Sequence, residues 1–284
     1  MPLRPGTDQV STVGMNARVV SQPSKWAPVY SVASAAWIGQ REFQEDTLLH
    51  FFDAAKSVGF AVISDGMGGH ASGGVASQLV AEEFNEQLTF NLSNLLNVEE
   101  HVPQYLKAIA EQANGIVRDA MSEDRDRKGM GSTLTAPVFL FDRMYWISVG
   151  DSPFYRIRDG GIEQLNADHS MAAEIDLMIE MGMLSEEKGR VHPSRNCLKS
   201  AITGGPIRIT DCPESAEQIL PNDVLILASD GLKSLTKDEI CQVVLENQVL
   251  GSEAIADCLI GQIKKLGQEN QDNVSIAVIH AGAV

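Results

Sequence analysis

Apolar residues fall along this chain in short runs broken by glycine and polar residues, and the runs have two periods. Eight are rich in Val, Ile, Leu and aromatics and read as strands: 29–34 (VYSVAS), 47–52 (TLLHFF), 60–64 (FAVIS), 132–141 (STLTAPVFLF), 145–150 (YWISVG), 154–158 (FYRIR), 223–229 (DVLILAS) and 273–281 (NVSIAVIHA). Others have helical spacing. One covers about 72 to 90, with Val75, Leu79, Val80 and Phe84 on a face. A second covers about 101 to 124 through Leu106, Ile109, Ala110, Ala113, Val117 and Ala120. Two late helices are expected behind caps at Thr236 and Ser252, each followed closely by an acid.

The order is therefore strands, two helices, strands, two helices, and a final strand. That rhythm differs from the regular alternation of a doubly wound sheet. It predicts an α+β fold of antiparallel sheets with paired helices outside, an α-β-β-α sandwich of four layers. Residues 1–27 read as a tail rich in breakers. Residues 166–200 interrupt the strand series with helical stretches and four methionines, Met171, Met178, Met181 and Met183. These read as an insertion or lid whose methionines pack a small helix on the main body or, alternatively, form an adaptable peptide-contacting surface.

Charge narrows the function. The 284 residues carry a formal net charge of −16. Such a field repels nucleic acid and anionic membranes, so neither is an expected partner. It also opposes phosphorylated substrates unless bound cations invert it locally. The four cysteines form no CxxC pair, and no apolar run reaches the length of a membrane span. With no signal-peptide pattern at the start, a cytoplasmic protein is expected.

The strands end in an unusual way. FAVIS runs into Asp65-Gly66, and VLILAS into Asp230-Gly231. Asp151 follows YWISVG, and Asp272 precedes the last strand. In antiparallel sheets these ends can share one rim. Each Asp-Gly alone is an ordinary turn. Together, four unpaired carboxylates would repel one another, and divalent cations remove that conflict. An oxygen-only donor set favours Mg²⁺ or Mn²⁺, with two ions able to activate water against phosphorus. REFQED at 41–46 adds Arg41, a candidate phosphate clamp, and the acids Glu45 and Asp46.

With these pieces in hand, the sequence resembles the metal-dependent serine/threonine protein phosphatases of type 2C, in their bacterial form. R-x-x-x-E-D at 41–46, DGMGGH at 65–70, GSTL at 131–134, GDS at 150–152, LNADHS at 165–170, ASDGL at 228–232 and DN at 272–273 follow in family order. The resemblance covers roughly 29 to 281 and makes 28–284 the catalytic domain, with a mobile flap within 166–200. It implies that Asp65 bridges two metals, that the Gly66 carbonyl binds one, and that Asp230 and Asp272 hold the other. Glu45 and Asp46 would act through water on the metals, Asp151 would help hold a third, weaker ion, and Arg41 would bind phosphate. Asn273, beside Asp272, is a further substrate-side candidate.

Some positions depart from the family pattern. Met67 stands where many animal members have a histidine proposed as the general acid, which leaves water on a metal, His70 or His192 as proton donors. Pro153 follows GDS where arginine is common, and Gln44 replaces a commoner asparagine. Neither removes a metal ligand, so hydrolysis of phosphoserine and phosphothreonine in proteins is expected. A phosphorylated protein is the expected substrate, a serine/threonine kinase the expected counterpart, and a monomer the expected state. The competing reading is an inactive phosphatase fold used as a binding module. A two-metal hydrolase of small phosphoesters or nucleic acid is a third, the acidic charge counting against nucleic acid.

Overall fold

The computed structural model of the protein describes residues 27–68 and 72–282. The tail read over 1–27 lies, but for its last residue, outside them, as does His70.

Two antiparallel sheets form the centre. The first runs in the order β1 (Val29–Trp37), β11 (Val274–Gly282), β10 (Val224–Ala228), β7 (Phe154–Arg158) and β8 (Gly161–Gln164). The second runs β2 (Asp46–Asp53), β3 (Val58–Met67), β5 (Leu134–Leu140), β6 (Arg143–Val149) and β9 (Glu217–Gln218), with β4 (Gly131–Ser132) beside the end of β3. Helices α1 (Ser72–Leu95) and α2 (Val102–Glu123) cover the second sheet, while α5 (Lys237–Asn247) and α6 (Ser252–Leu266) cover the first. Short helices α3 (Ala172–Glu180) and α4 (Glu186–Arg190) lie between β8 and β9. The four-layer sandwich read from the sequence is the architecture observed.

Three apolar layers hold it. Phe60 and Val62 pack with Phe84, Leu88, Leu106 and Ile109 between one sheet and its helices. Ile226 and Val278 meet Leu259 and Ile263 on the opposite side. Ile63, Phe139, Phe154, Leu225, Leu227 and Ile279 fill the space between the sheets. Central strands therefore bury both faces, which is why FAVIS and VLILA are continuous apolar runs rather than alternating ones. Each fully buried Phe or Leu contributes about 1.5–3 kcal/mol.

The structure adds strands β8 and β9 to those read from the sequence, and differs from that reading elsewhere. The strand read at 60–64 continues to Met67, so Asp65-Gly66 is strand and no turn. The run at 132–141 breaks at Thr133, whose side chain and backbone are both used to brace Asp65. The cap of α6 is Gly251, at φ 94°; Ser252 is the first helical residue, and its hydroxyl donates to the Ser31 carbonyl at 2.9 Å instead. Met178, Met181 and Met183 are exposed, so they do not pack the insertion onto the body; Ile175 is the residue of α3 that is buried. The Thr236 cap of α5 is as expected, a reciprocal capping box with Glu239.

Candidate metal centre

Strand alternation dictates where the acids point. In β3, Ala61 and Ile63 face the gap between the sheets, so Asp65 continues that face. Leu48 in β2 faces the same gap, and so therefore does Asp46. The opposite sheet brings Ser229 beyond Leu227 and Ser275 before Ala277. The apolar layer thus gives way to a polar end: Ser229 Oγ donates to Asp46 Oδ2 at 2.7 Å, joining the two sheets. Asp46 and Asp65 are direct cross-strand partners. Asp65 is fixed in place by Thr133, whose Oγ1 accepts from the Asp65 N–H and whose N–H donates to the Asp65 carbonyl, both at 2.9 Å.

Connections bring the remaining acids. Asp230 opens a 3₁₀ turn, Asp230–Ser234, directly after β10. Gly231 is required there, since a Cβ would stand 2.0 Å from the Asn273 carbonyl oxygen. The same closeness holds the Asp230 segment against Asp272-Asn273. Glu45 precedes β2, and Gly66 donates its N–H to the Glu45 carbonyl at 3.0 Å. Arg41, Glu45, Asp65, Asp151, Asp230 and Asp272 line one cavity of about 780 Å³, closed on another side by residues 196–201.

Burial and mutual repulsion act on the carboxyls. Asp65 is pushed well above the usual carboxylate range by burial and then by Asp230, Asp46, Asp151 and Asp272. Burial, then Asp151 and Asp272, raises Asp230 to about 7. Burial raises Asp46 to about 6, against the Ser229 hydroxyl that favours its charge. Glu45 is raised by burial, against Arg41.

Two basic side chains answer part of this charge. Arg41 Nη2 donates to Asp272 Oδ2 at 2.6 Å. Lys233 Nζ donates to Asp151 Oδ2 and Asp168 Oδ2, each at 3.0 Å. Among the described residues no three Asp, Glu, His or Cys side chains close on one point as a metal cage would. The donor chemistry nevertheless fits hard divalent cations. The acids offer oxygen alone, and among the described residues Glu45 Oε1 and Asp46 Oδ1 are buried with no hydrogen-bond partner. Carboxylates raised by burial and then by their own crowding are the groups such ions stabilise.

The sequence-derived candidates separate clearly. Arg41, Glu45, Asp65, Gly66, Asp151, Asp230 and Asp272 meet at the cavity, and Asp46 lies behind them. Asn273 also borders it, yet its side chain is buried and fully engaged: Oδ1 accepts from Glu45 N–H, and Nδ2 donates to the Ile38 and Phe43 carbonyls. It positions the 38–45 loop. His192 does not reach the rim; its Nδ1 accepts from Ser194 N–H within the insertion. Sequence reasoning missed Asp168 and Lys233. Asp168 sat in the LNADHS segment already singled out, whereas nothing local marks a lysine three residues past Asp230.

Comparison with known proteins agrees with this geometry. A family model for protein phosphatase 2C matches residues 36–270, and the chain belongs to that family. The serine/threonine phosphatase stp of Listeria monocytogenes is 30% identical over 218 residues, covering 77% of this chain and 82% of its own. The crystal structure of the Mycobacterium tuberculosis serine/threonine phosphatase PstP superposes with a TM-score of 0.70 at 27% identity, over 89% of this chain and 99% of that one. A structure of the PstP catalytic domain in complex with two manganese ions gives 0.68 at 26% identity, over 89% and 99%. Among the described residues, no helix is long and apolar enough to cross a membrane.

Proposed function

We propose that Asp65, the Gly66 carbonyl, Asp230 and Asp272 hold the two Mn²⁺ or Mg²⁺ ions with which this serine/threonine protein phosphatase hydrolyses phosphoserine and phosphothreonine. Glu45 and Asp46 orient water around them. The observation that carries this reading is the convergence of acids from five separate chain segments on one cavity at the open end of the sandwich. When bound, the ions supply an activated water and neutralise charge on the phosphoryl oxygens.

The chain's own residues do the rest. Arg41 leaves Asp272 to bind the substrate phosphate, its planar guanidinium suited to two phosphate oxygens. Thr133 holds the Asp65 backbone from both sides, so that the carboxylate meets its ligand without reorganising. Asn273 keeps the Arg41 loop beside Asp272. His192 lies off the rim, which leaves water or His70, itself outside the described residues, as the proton donor to the leaving alkoxide. Residues 28–284 form the catalytic domain, and the part of 166–200 that borders the cavity is its flap.

A phosphorylated protein is the substrate, which requires a serine/threonine kinase to supply it. The four cysteines are all unpaired, which suits a reducing cytoplasm. The inactive-module reading finds no support, since no acid of the set is lost.

The test is hydrolysis of a phosphothreonine peptide by chelator-stripped protein, with and without Mn²⁺ or Mg²⁺. Activity restored by either ion, and absent from Asp272→Ala with either, is the expected result. Folded protein that stays inactive with both ions would overturn the reading, as would an active Asp272→Ala variant.

A further inference from the structure

The third-metal role that the family resemblance gives to Asp151 meets an obstacle in this chain. Asp151 is 5% exposed and pairs with Lys233, which also pairs with Asp168. The ammonium lies 3.0 Å from Asp151 Oδ2 and 3.0 Å from Asp168 Oδ2, bridging the two carboxylates. An oxygen-ligated Mg²⁺ or Ca²⁺ sits about 2.0–2.6 Å from each donor, so it would have to take the space the ammonium fills.

The lysine is delivered there by the fold. Asp230 and Lys233 stand three residues apart in the 3₁₀ turn Asp230–Ser234. With three residues per turn, side chains at i and i+3 eclipse, so Lys233 follows Asp230 to the same side. Asp168 is set independently: its Oδ1 accepts the Ser170 N–H at 2.8 Å, which turns Oδ2 toward the lysine. Removing one partner from such a pair would leave a nearly buried carboxylate uncompensated.

We propose that Lys233 is the built-in cation of the third-metal position, so that this phosphatase binds two ions and no third. The proposal rests on the two-metal reading above and specifies which of its acids are free for metal.

Mn²⁺ binding to the full chain, stripped by chelator and then titrated, tests it by counting ions through the EPR signal of free Mn²⁺. The wild type should bind two ions per chain, with no further site filled into the millimolar range. Lys233→Met, which keeps most of the length and loses the charge, should gain a third, weaker ion, and Lys233→Met/Asp151→Asn should lose it again. A third ion on the wild type, or a folded Lys233→Met that still stops at two, would overturn the proposal and leave the two-metal reading standing. The wild-type count decides even if Lys233→Met fails to fold. Folded wild type that binds no Mn²⁺, or an Asp65→Asn variant that still binds two ions, would overturn the two-metal reading itself and this proposal with it.

Discussion

Asp46 on β2 and Asp65 on β3 stand directly opposite each other in the ladder, two carboxylates in one cross-strand pair. Like charges so placed oppose sheet formation. Burial aggravates the conflict, and it raises both groups above the ordinary range. The fold tolerates this at one end of an otherwise apolar inter-sheet layer, where Ser229 reaches across to Asp46. A site that weakens its own scaffold is expected where function demands it.

Asp65→Asn should therefore separate stability from activity. In chelator, the variant should melt above the wild type, gaining up to about 1 kcal/mol from the relieved pair. Hydrolysis of a phosphothreonine peptide with Mn²⁺ should fall by at least about 100-fold if, as proposed, Asp65 holds the metals that contribute several kcal/mol. A stripped variant that melts below the wild type would show that the Asp46–Asp65 conflict is not felt.

Arg41→Ala should act on binding. The Arg41–Asp272 pair is half exposed, at 53% and 39%, so its loss should leave the melting temperature nearly unchanged. A charge-assisted hydrogen bond to phosphate is worth about 1.5–3 kcal/mol, so KM for the peptide should rise roughly tenfold or more, with a smaller fall in kcat. Steady-state kinetics decide the point, and an unchanged KM would remove Arg41 from phosphate binding.

The crowded acids predict an inverted pH dependence in the stripped protein. Asp230 titrates near 7 in the fold, raised by burial and its acid neighbours, and near the ordinary value when unfolded. Between those values the folded state binds more protons, so stability rises as pH falls through 7. Below about 6.5 the direction is opposed by His50, His169 and His280, which burial holds below the ordinary histidine range. From pH 8 to 6.5, melting in chelator should rise by several degrees, and saturating Mn²⁺ should abolish that trend. Melting that rises with pH in chelator would contradict the assignment.

How much of this was legible in the sequence follows from which interactions are local. Strand runs, helix faces and the Thr236 capping box are written in neighbouring residues, and they correspond to observed elements. The acids that line the cavity were visible because each sits at a strand end or in the REFQED segment. Parity was also readable in principle: Asp65 lies two residues past Ile63, so it had to face the partner sheet. Lys233 was not legible, because its partners Asp151 and Asp168 are 82 and 65 residues away and meet it only through the fold. The exposure of Met178, Met181 and Met183 escaped for the converse reason, since hydrophobic character alone does not say that a residue has something to pack against.

Asn273 is the joint between these halves of the site. It is 4% exposed, and its amide makes three bonds to the 38–45 loop: from Glu45 N–H at 2.8 Å, and to Ile38 O and Phe43 O at 2.8 and 3.0 Å. That loop carries Arg41 and Glu45, while Asn273 itself follows Asp272. Asn273→Ala would strand three backbone groups at once, at a cost of about 2–3 kcal/mol. The melting temperature should fall by several degrees. If the joint positions the site, peptide KM should rise and Mn²⁺ affinity, read by titration, should weaken together, because the proposed phosphate clamp Arg41 and the proposed metal-side acid Glu45 share the loosened loop. Asn273→Asp keeps the acceptor for Glu45 N–H and loses the two donated bonds, so it should fall between wild type and Asn273→Ala in all three readouts. A variant that melts lower while KM and Mn²⁺ affinity stay put would make Asn273 a structural residue only.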